Sequence, residues 1–266
     1  MDMETSAKQA EGDGAFAYWP GNVAKHRIVE TLARRSEPIR VLDYGAGSGG
    51  HWPELLRLWP HIGLTAFEPH EPSCVQLRER FRGLPNARVV SQVEQADQLD
   101  AVVSFSVLEH VLDRPAYVET AFRWLRPGGT FYLSYDDGHF RRKFDLSSRD
   151  FEPIREHLRN LGAPLWPKIG KIGWYQSRVR KSDADRIIAD AGFEVVGERY
   201  ENIESMKRLA CAMPVQDRAA FMDFWMNMET ELNARFAISG NERWGDANML
   251  WREMGTRTLE LRRPAG

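Results

Sequence analysis

Apolar residues recur along this chain in two alternating rhythms. Short, nearly continuous runs at 39–44, 62–67, 87–91, 100–106 and 130–135 predict strands. Between them, apolar positions three and four apart predict helices over 18–35, 52–58, 72–81 and 114–124. Val23, Ile28, Leu32 and Ala33 mark the first helix, with Glu30 and Arg34 as an i, i+4 surface pair. Runs without polar alternation belong to strands buried on both faces, so the pattern predicts a parallel sheet covered by helices on each side. Right-handed crossovers then give a doubly wound α/β fold.

The rhythm stops at 136–181. Pro153, Pro164, Pro167, scattered aromatics and the basic groups Arg141-Arg142-Lys143 and Arg178, Arg180, Lys181 read as an insertion with one helix over 149–161. A stretch of this length within a domain usually works as a lid or substrate wall. Alternation then resumes. Ser182 and Asp185 read as a capping box, Gly192 as a helix stop, and 193–200 as a sixth strand. A single helix is predicted over 205–236, with Phe221, Phe224, Trp225, Met228 and Leu232 as a stripe for the core or a second subunit. Residues 249–253 and 256–261 read as a closing hairpin or strand. The expected organisation is a disordered tail at 1–17 and one domain at 18–266. Within that domain the parts are a core at 38–135, the insertion at 136–181 and sheet completion with C-terminal helices at 182–266.

Composition narrows the function classes. Lys and Arg total 36 against 38 Asp and Glu, a net charge of −2. That balance speaks against a dedicated nucleic-acid binder, which needs a basic excess. Apolar residues make up 42% of the chain, enough for a sizeable core. Cys74 and Cys211 match no zinc spacing or disulfide framework, as in a reduced compartment. No apolar run reaches the roughly 18 residues of a membrane span, and the polar N-terminus has no signal-peptide pattern. A soluble cytoplasmic protein is expected.

The first strand runs into Gly45-Ala46-Gly47-Ser48-Gly49-Gly50. Glycines between a strand and a helix let backbone approach a ligand, and a helix N-terminus offers free N–H groups. Two templates fit. Gly45, Gly47 and Gly50 make the dinucleotide pattern GxGxxG, whereas Gly45, Gly47 and Gly49 make GxGxG preceded by Asp43. Glu68 ends the second strand about 20 residues on, where a carboxylate reaches the ribose hydroxyls of an adenosine cofactor.

The blocks Val41-Leu42-Asp43-Tyr44-Gly45-Ala46-Gly47-Ser48-Gly49, Phe67-Glu68-Pro69, the stretch from Asp100 to Val111 and Leu125-Arg126-Pro127-Gly128-Gly129-Thr130-Phe131 follow in order. Together they resemble the class I S-adenosylmethionine-dependent methyltransferases. The resemblance implies a Rossmann-like, seven-stranded, mostly parallel sheet whose last strand is antiparallel, with the cofactor over the carboxyl ends of the first strands. It implies S-adenosylmethionine contacts from Asp43, Gly45, Ala46, Gly47, Gly49, Glu68, Pro69 and Ser106, and release of S-adenosylhomocysteine. The usual acid near the adenine is missing after the third strand, where Gln92 or Glu94 stands in its place.

In-line methyl transfer relies on alignment, and a base is needed only where the acceptor must lose a proton. Candidates lie beyond strands four and five: His110, Tyr135, Asp136 and His139. The basic groups of the insertion read as a charged surface or as an anion subsite. Tyr18 and Trp19 would cap the cofactor, and Trp166, Trp174 and Tyr175 would line an acceptor pocket. The expected function is methyl transfer to oxygen or nitrogen of a small-molecule or sugar-like acceptor, without metal and with a homodimer allowed. The alternatives are a catalytically silent cofactor-binding module working through a protein partner, transfer to a macromolecule, and a nicotinamide oxidoreductase.

Overall fold

The computed structural model describes residues 20–50, 52–92, 98–136, 177–238 and 249–266. Seven strands form one sheet: β1 (Ile39–Tyr44), β2 (Ile62–Phe67), β3 (Ala87–Val90), β4 (Leu99–Phe105), β5 (Leu125–Asp136), β6 (Glu194–Ile203) and β7 (Met254–Arg262). Their order is β3-β2-β1-β4-β5-β7-β6. The first five pair in parallel, and β7 runs antiparallel to both neighbours. This is the predicted doubly wound α/β sheet. β1 and β2 occupy the predicted residues, because each is an apolar run bounded by turn-forming residues.

The helices are α1 (Pro20–Ala33), α2 (Trp52–Leu58), α3 (Glu71–Arg80), α4 (Arg114–Trp124), α5 (Lys181–Asp190), α6 (Glu204–Ala212), α7 (Val215–Ile238) and α8 (Met249–Glu253). Adjacent strand residues serve opposite layers. Val41, Val103 and Tyr132 pack with Val29, Leu32, Trp52 and Leu56 on one face. Leu42, Val102, Phe131 and Tyr135 pack with Val118, Ile188 and Trp251 on the other. Asp100 ties three strands together near their starts: its carboxylate accepts from Arg40 N at 2.8 Å and from Arg126 Nε at 2.7 Å. The Asp113 carboxylate caps α4 by accepting from Ala116 N at 3.0 Å.

Several expectations are corrected. The helix predicted over 205–236 is two helices, because Pro214 cannot supply the N–H that continuation requires. Most of its apolar stripe does pack inward, with Trp225 buried, Phe221 and Met228 beside it and Leu232 against the main core, whereas Phe224 is 58% exposed. Ser182 and Asp185 do not cap α5. The helix begins at Lys181 with Arg180 at the N-cap and no side-chain cap bond, and Asp185 instead pairs with Lys181 at 2.8 Å and Arg257 at 2.7 Å. Gly192 does end this helix, at φ +89°. Residues 249–253 are helical rather than extended, with Leu250 and Trp251 buried against the sheet. The tail at 1–17, Tyr18, Trp19 and most of the insertion, including the helix over 149–161, lie outside the described residues.

Candidate active site

The loop leaving β1 is built by backbone that side chains would obstruct. Gly45, Gly47 and Gly49 take φ of +100°, +55° and +61°, the region that glycine enters without a Cβ penalty. Gly50 does not, so the conformations follow GxGxG rather than GxGxxG. Gly45 and Ala46 donate to the Phe67 carbonyl at 3.0 and 2.8 Å, which fastens the loop to the end of β2. A Cβ on Gly45 would meet Val107 Cγ2 at 2.6 Å, and one on Gly49 would meet Leu77 Cδ1 at 2.3 Å. One on Gly47 would meet nothing within 4 Å among the described residues. Two glycines therefore serve packing and the third faces open space. The contact with Val107 places this loop beside the turn after β4, at the point where strand order reverses and such sheets bind ligands.

Two acids stand under and beside the loop. Asp43, at the end of β1, is buried and accepts from Trp52 Nε1 at 2.7 Å. Burial pushes its carboxyl up to about 7, against the Trp52 bond and the charge of Lys25. Glu68 follows β2. Its Oε2 accepts from Gly47 N at 2.9 Å and its Oε1 from His70 N at 2.8 Å. The Cys74 thiol donates to the Glu68 carbonyl at 2.8 Å, so the cysteine fixes the strand end and is buried there. Each Glu68 oxygen keeps a second acceptor position for a ligand hydroxyl.

A further polar group surrounds the ends of β4 and β5. Ser106 adopts φ +59° and accepts from Lys25 Nζ of α1 at 3.1 Å. The Lys25 ammonium stands 5.8 Å from the centroid of the Phe105 ring. A 3₁₀ turn, Leu108–His110, follows β4 and buries Glu109. Arg114 Nε donates to the Leu108 carbonyl at 3.0 Å, and its Nη2 donates to the Ser177 carbonyl at 2.8 Å, pinning this turn to the chain returning from the insertion. Burial pushes the Glu109 carboxyl up to about 8, with Asp136 adding to the rise and Lys25 opposing it. Glu201 on β6 is also pushed up to about 8, chiefly by burial, with Arg199 opposing. Burial lowers the Lys25 ammonium, and Glu109, Asp136, Glu201 and Asp43 act in the other direction.

The remaining candidates are distributed unevenly. Asp136 lies with this charged group, whereas His110 is exposed beside it. Pro69 and Gln92 are exposed at the ends of β2 and β3, and Ala46 is buried beneath the loop. Tyr135 is a correction. It points to the opposite layer, packs edge-on against Trp251 and takes a hydrogen bond from Arg257 Nη1 at 2.8 Å. Burial drives its phenol well above the ordinary range, and Arg257 is held in turn by Glu198 and Asp185. The alternation of β5 explains this, since Tyr135 shares a face with Phe131 and Leu133. His139, Glu94, Arg141, Trp166, Trp174 and Tyr175 lie outside the described residues.

Lys25 and Glu109 were not among the residues chosen from sequence. Glu109 stands in the Leu-Glu-His run where weight fell on His110. Lys25 belongs to no local motif; it is a lysine within an amphipathic helix. Among the described residues, no cluster of three or more His, Cys, Asp and Glu side chains has the geometry of a metal site.

A family model described as a methyltransferase domain matches residues 17–198. A ubiquinone biosynthesis O-methyltransferase of Methylobacterium nodulans is 30% identical over 102 residues, 37% of this chain and 41% of that protein. Its counterpart in Xanthomonas axonopodis pv. citri is 32% identical over 113 residues, 40% and 47% respectively. The matches thus span less than half the length of these relatives. A cyclopropane synthase of Mycobacterium tuberculosis has a similar fold, with a TM-score of 0.56 at 14% identity over 91% of this chain and 84% of that one. So does a geranyl diphosphate C-methyltransferase of Streptomyces coelicolor A3(2), whose structure holds S-adenosyl-L-homocysteine. Its TM-score is 0.54 at 13% identity, over 91% of this chain and 76% of that one.

Proposed function

The chain belongs to the S-adenosylmethionine-dependent methyltransferases of class I, and from that premise we propose that it methylates an oxygen of a small-molecule acceptor. The cofactor's sulfonium supplies an electrophilic methyl group. This chain's residues fit the cofactor: Gly47 leaves the approach open, Glu68 offers acceptors for the ribose hydroxyls, and Asp43 offers a carboxylate for the amino group. Pro69 and Gln92 stand at the strand ends on the adenosine side. Ser106, held by Lys25, stands likewise at the end of β4.

The observation that carries the acceptor reading is where the insertion is rooted. The chain departs after Asp136 and returns at Ser177, and both stems meet the turn that follows β4. Whatever fills 137–176 therefore leaves and re-enters at the reacting end of the crevice, which suits a segment that selects the acceptor. The O-methyltransferase relatives favour oxygen over nitrogen. The net charge of −2 favours a small acceptor over a nucleic acid. Among the described residues no helix is long and apolar enough to cross a membrane.

Methyl-labelled S-adenosylmethionine with fractionated host extract tests this. Label is expected in the low-mass fraction. Label confined to protein or nucleic acid overturns the acceptor class, and cofactor binding without any labelled product favours a silent module acting through a partner.

A further inference from the structure

We propose that Glu109 takes the proton of the acceptor hydroxyl and that Lys25 positions and tunes it for that task. The inference rests on the methyl-transfer reading and deepens it by naming the base. Glu109 is only 2% exposed and sits in the turn directly after β4. Its carboxylate accepts its own N–H and that of Asp136. Its Oε2 nevertheless has no hydrogen-bond partner among the described residues. Buried carboxylate oxygens are rarely left without a donor, and an exception calls for a functional explanation. An acceptor O–H supplies the missing donor.

The neighbouring acids are already engaged. Asp43 receives the Trp52 indole, and Glu201 receives the Thr258 hydroxyl at 3.2 Å and pairs with Arg199. Glu109 is the one that also touches the root of the insertion, since its carbonyl accepts from Ser177 N at 2.9 Å. Lys25 from α1 and Asp136 from β5 act on Glu109, Asp43 from β1 and Glu201 from β6 act in turn on Lys25, and Arg114 of α4 donates to the neighbouring Leu108 carbonyl. Against burial, the Glu109 N–H and, to a lesser degree, Lys25, which is fixed on Ser106 Oγ, favour the ionised carboxylate. A base that ionises near the working pH is the effective one.

The step balances. The acceptor oxygen bonds to the methyl carbon as the carbon–sulfur bond breaks, and that electron pair leaves with sulfur. The acceptor proton moves to Glu109 Oε2. A cationic sulfonium, a neutral hydroxyl and a carboxylate thus become a thioether, a methyl ether and a carboxylic acid.

The test uses the full chain, methyl-labelled S-adenosylmethionine and the low-mass fraction of host extract, between about pH 6 and about pH 9. S-adenosylhomocysteine affinity and the infrared signal of protonated carboxyl groups are measured on the same proteins. In the unaltered protein, transfer is expected to rise through about pH 8, and a protonated carboxyl signal is present at neutral pH. Glu109→Gln should slow transfer by at least about 100-fold, keep the homocysteine affinity and lose one carboxyl signal. Lys25→Met should move the rising limb to higher pH, because the ammonium that favours ionisation is gone. Glu109→Asp keeps a carboxylate and should restore part of the transfer. Glu109→Gln transferring at the unaltered rate overturns the proposal, as does a loss that only follows weakened homocysteine binding. If the unaltered protein itself labels nothing of low mass, the acceptor reading falls, and this proposal with it.

Discussion

The Glu68 carboxylate accepts the Gly47 amide at 2.9 Å, so the acid that ends β2 also holds the loop that follows β1. One side chain thereby sets the shape of the loop that we propose as the cofactor cradle. Glu68→Ala should weaken S-adenosylhomocysteine binding by at least about 1.5–3 kcal/mol, the worth of hydrogen bonds to a charged group. Glu68→Gln, which can still accept from Gly47, should lose less. Calorimetric titration of both variants checks the order.

Gly47 and Gly49 should fail in different ways when replaced by Ala. At Gly49 the new methyl meets Leu77 Cδ1 at 2.3 Å on a left-handed backbone, and overpacking of this kind costs about 1–3 kcal/mol. At Gly47 the added methyl meets no atom within 4 Å among the described residues, leaving about 1 kcal/mol of backbone strain. Thermal unfolding should therefore single out Gly49→Ala. Homocysteine affinity should fall in Gly47→Ala, whose methyl enters the ligand's path.

If Asp43 holds the cofactor's amino group as proposed, cofactor binding should be sensitive to pH. Burial holds its carboxyl at about 7 in the free protein, and a bound ammonium group favours the ionised form. Binding should release a proton and weaken as pH falls below about 7. In Asp43→Asn the affinity should be lower and this dependence should disappear. Titrations in buffers of different ionisation enthalpy report the proton directly.

Stability should fall as pH rises through the same region. Asp43, Glu109 and Glu201 have folded values of about 7, 8 and 8, above the ordinary carboxyl range. Between about pH 4 and about pH 8 the folded chain keeps protons that the unfolded chain has released, so ΔG of unfolding declines with pH. Glu201→Gln, which still accepts from Thr258, should flatten part of that decline. Urea titrations at pH values spanning the window check the sign.

Tyr135 provides the contrast. Tyr135→Phe removes the hydroxyl bonded to Arg257 and should cost about 1.5–3 kcal/mol of stability. Methyl transfer by the folded variant should match that of the unaltered protein. A steady-state assay below the unfolding temperature separates the two effects.

The sheet was legible because each parallel strand is a nearly uninterrupted apolar run. The glycine loop and its register with Glu68 were legible because positive-φ glycines between a strand and a helix have few other uses. Helix α8 was not, since a five-residue apolar segment reads equally well as strand or helix. Tyr135 could have been read correctly from its alternation with Phe131 and Leu133. Lys25 and Glu109 stand 84 positions apart in sequence and acquire meaning only when α1 and the ends of β4 and β5 converge. A local pattern carries no trace of that meeting.

The central claim is transfer to an oxygen of a small molecule. Methyl-¹³C S-adenosylmethionine, the protein and the low-mass fraction of host extract should yield a labelled product whose carbon resonance is that of an O-methyl ether. A labelled N-methyl or C-methyl product, or label found only in macromolecules, would contradict the account.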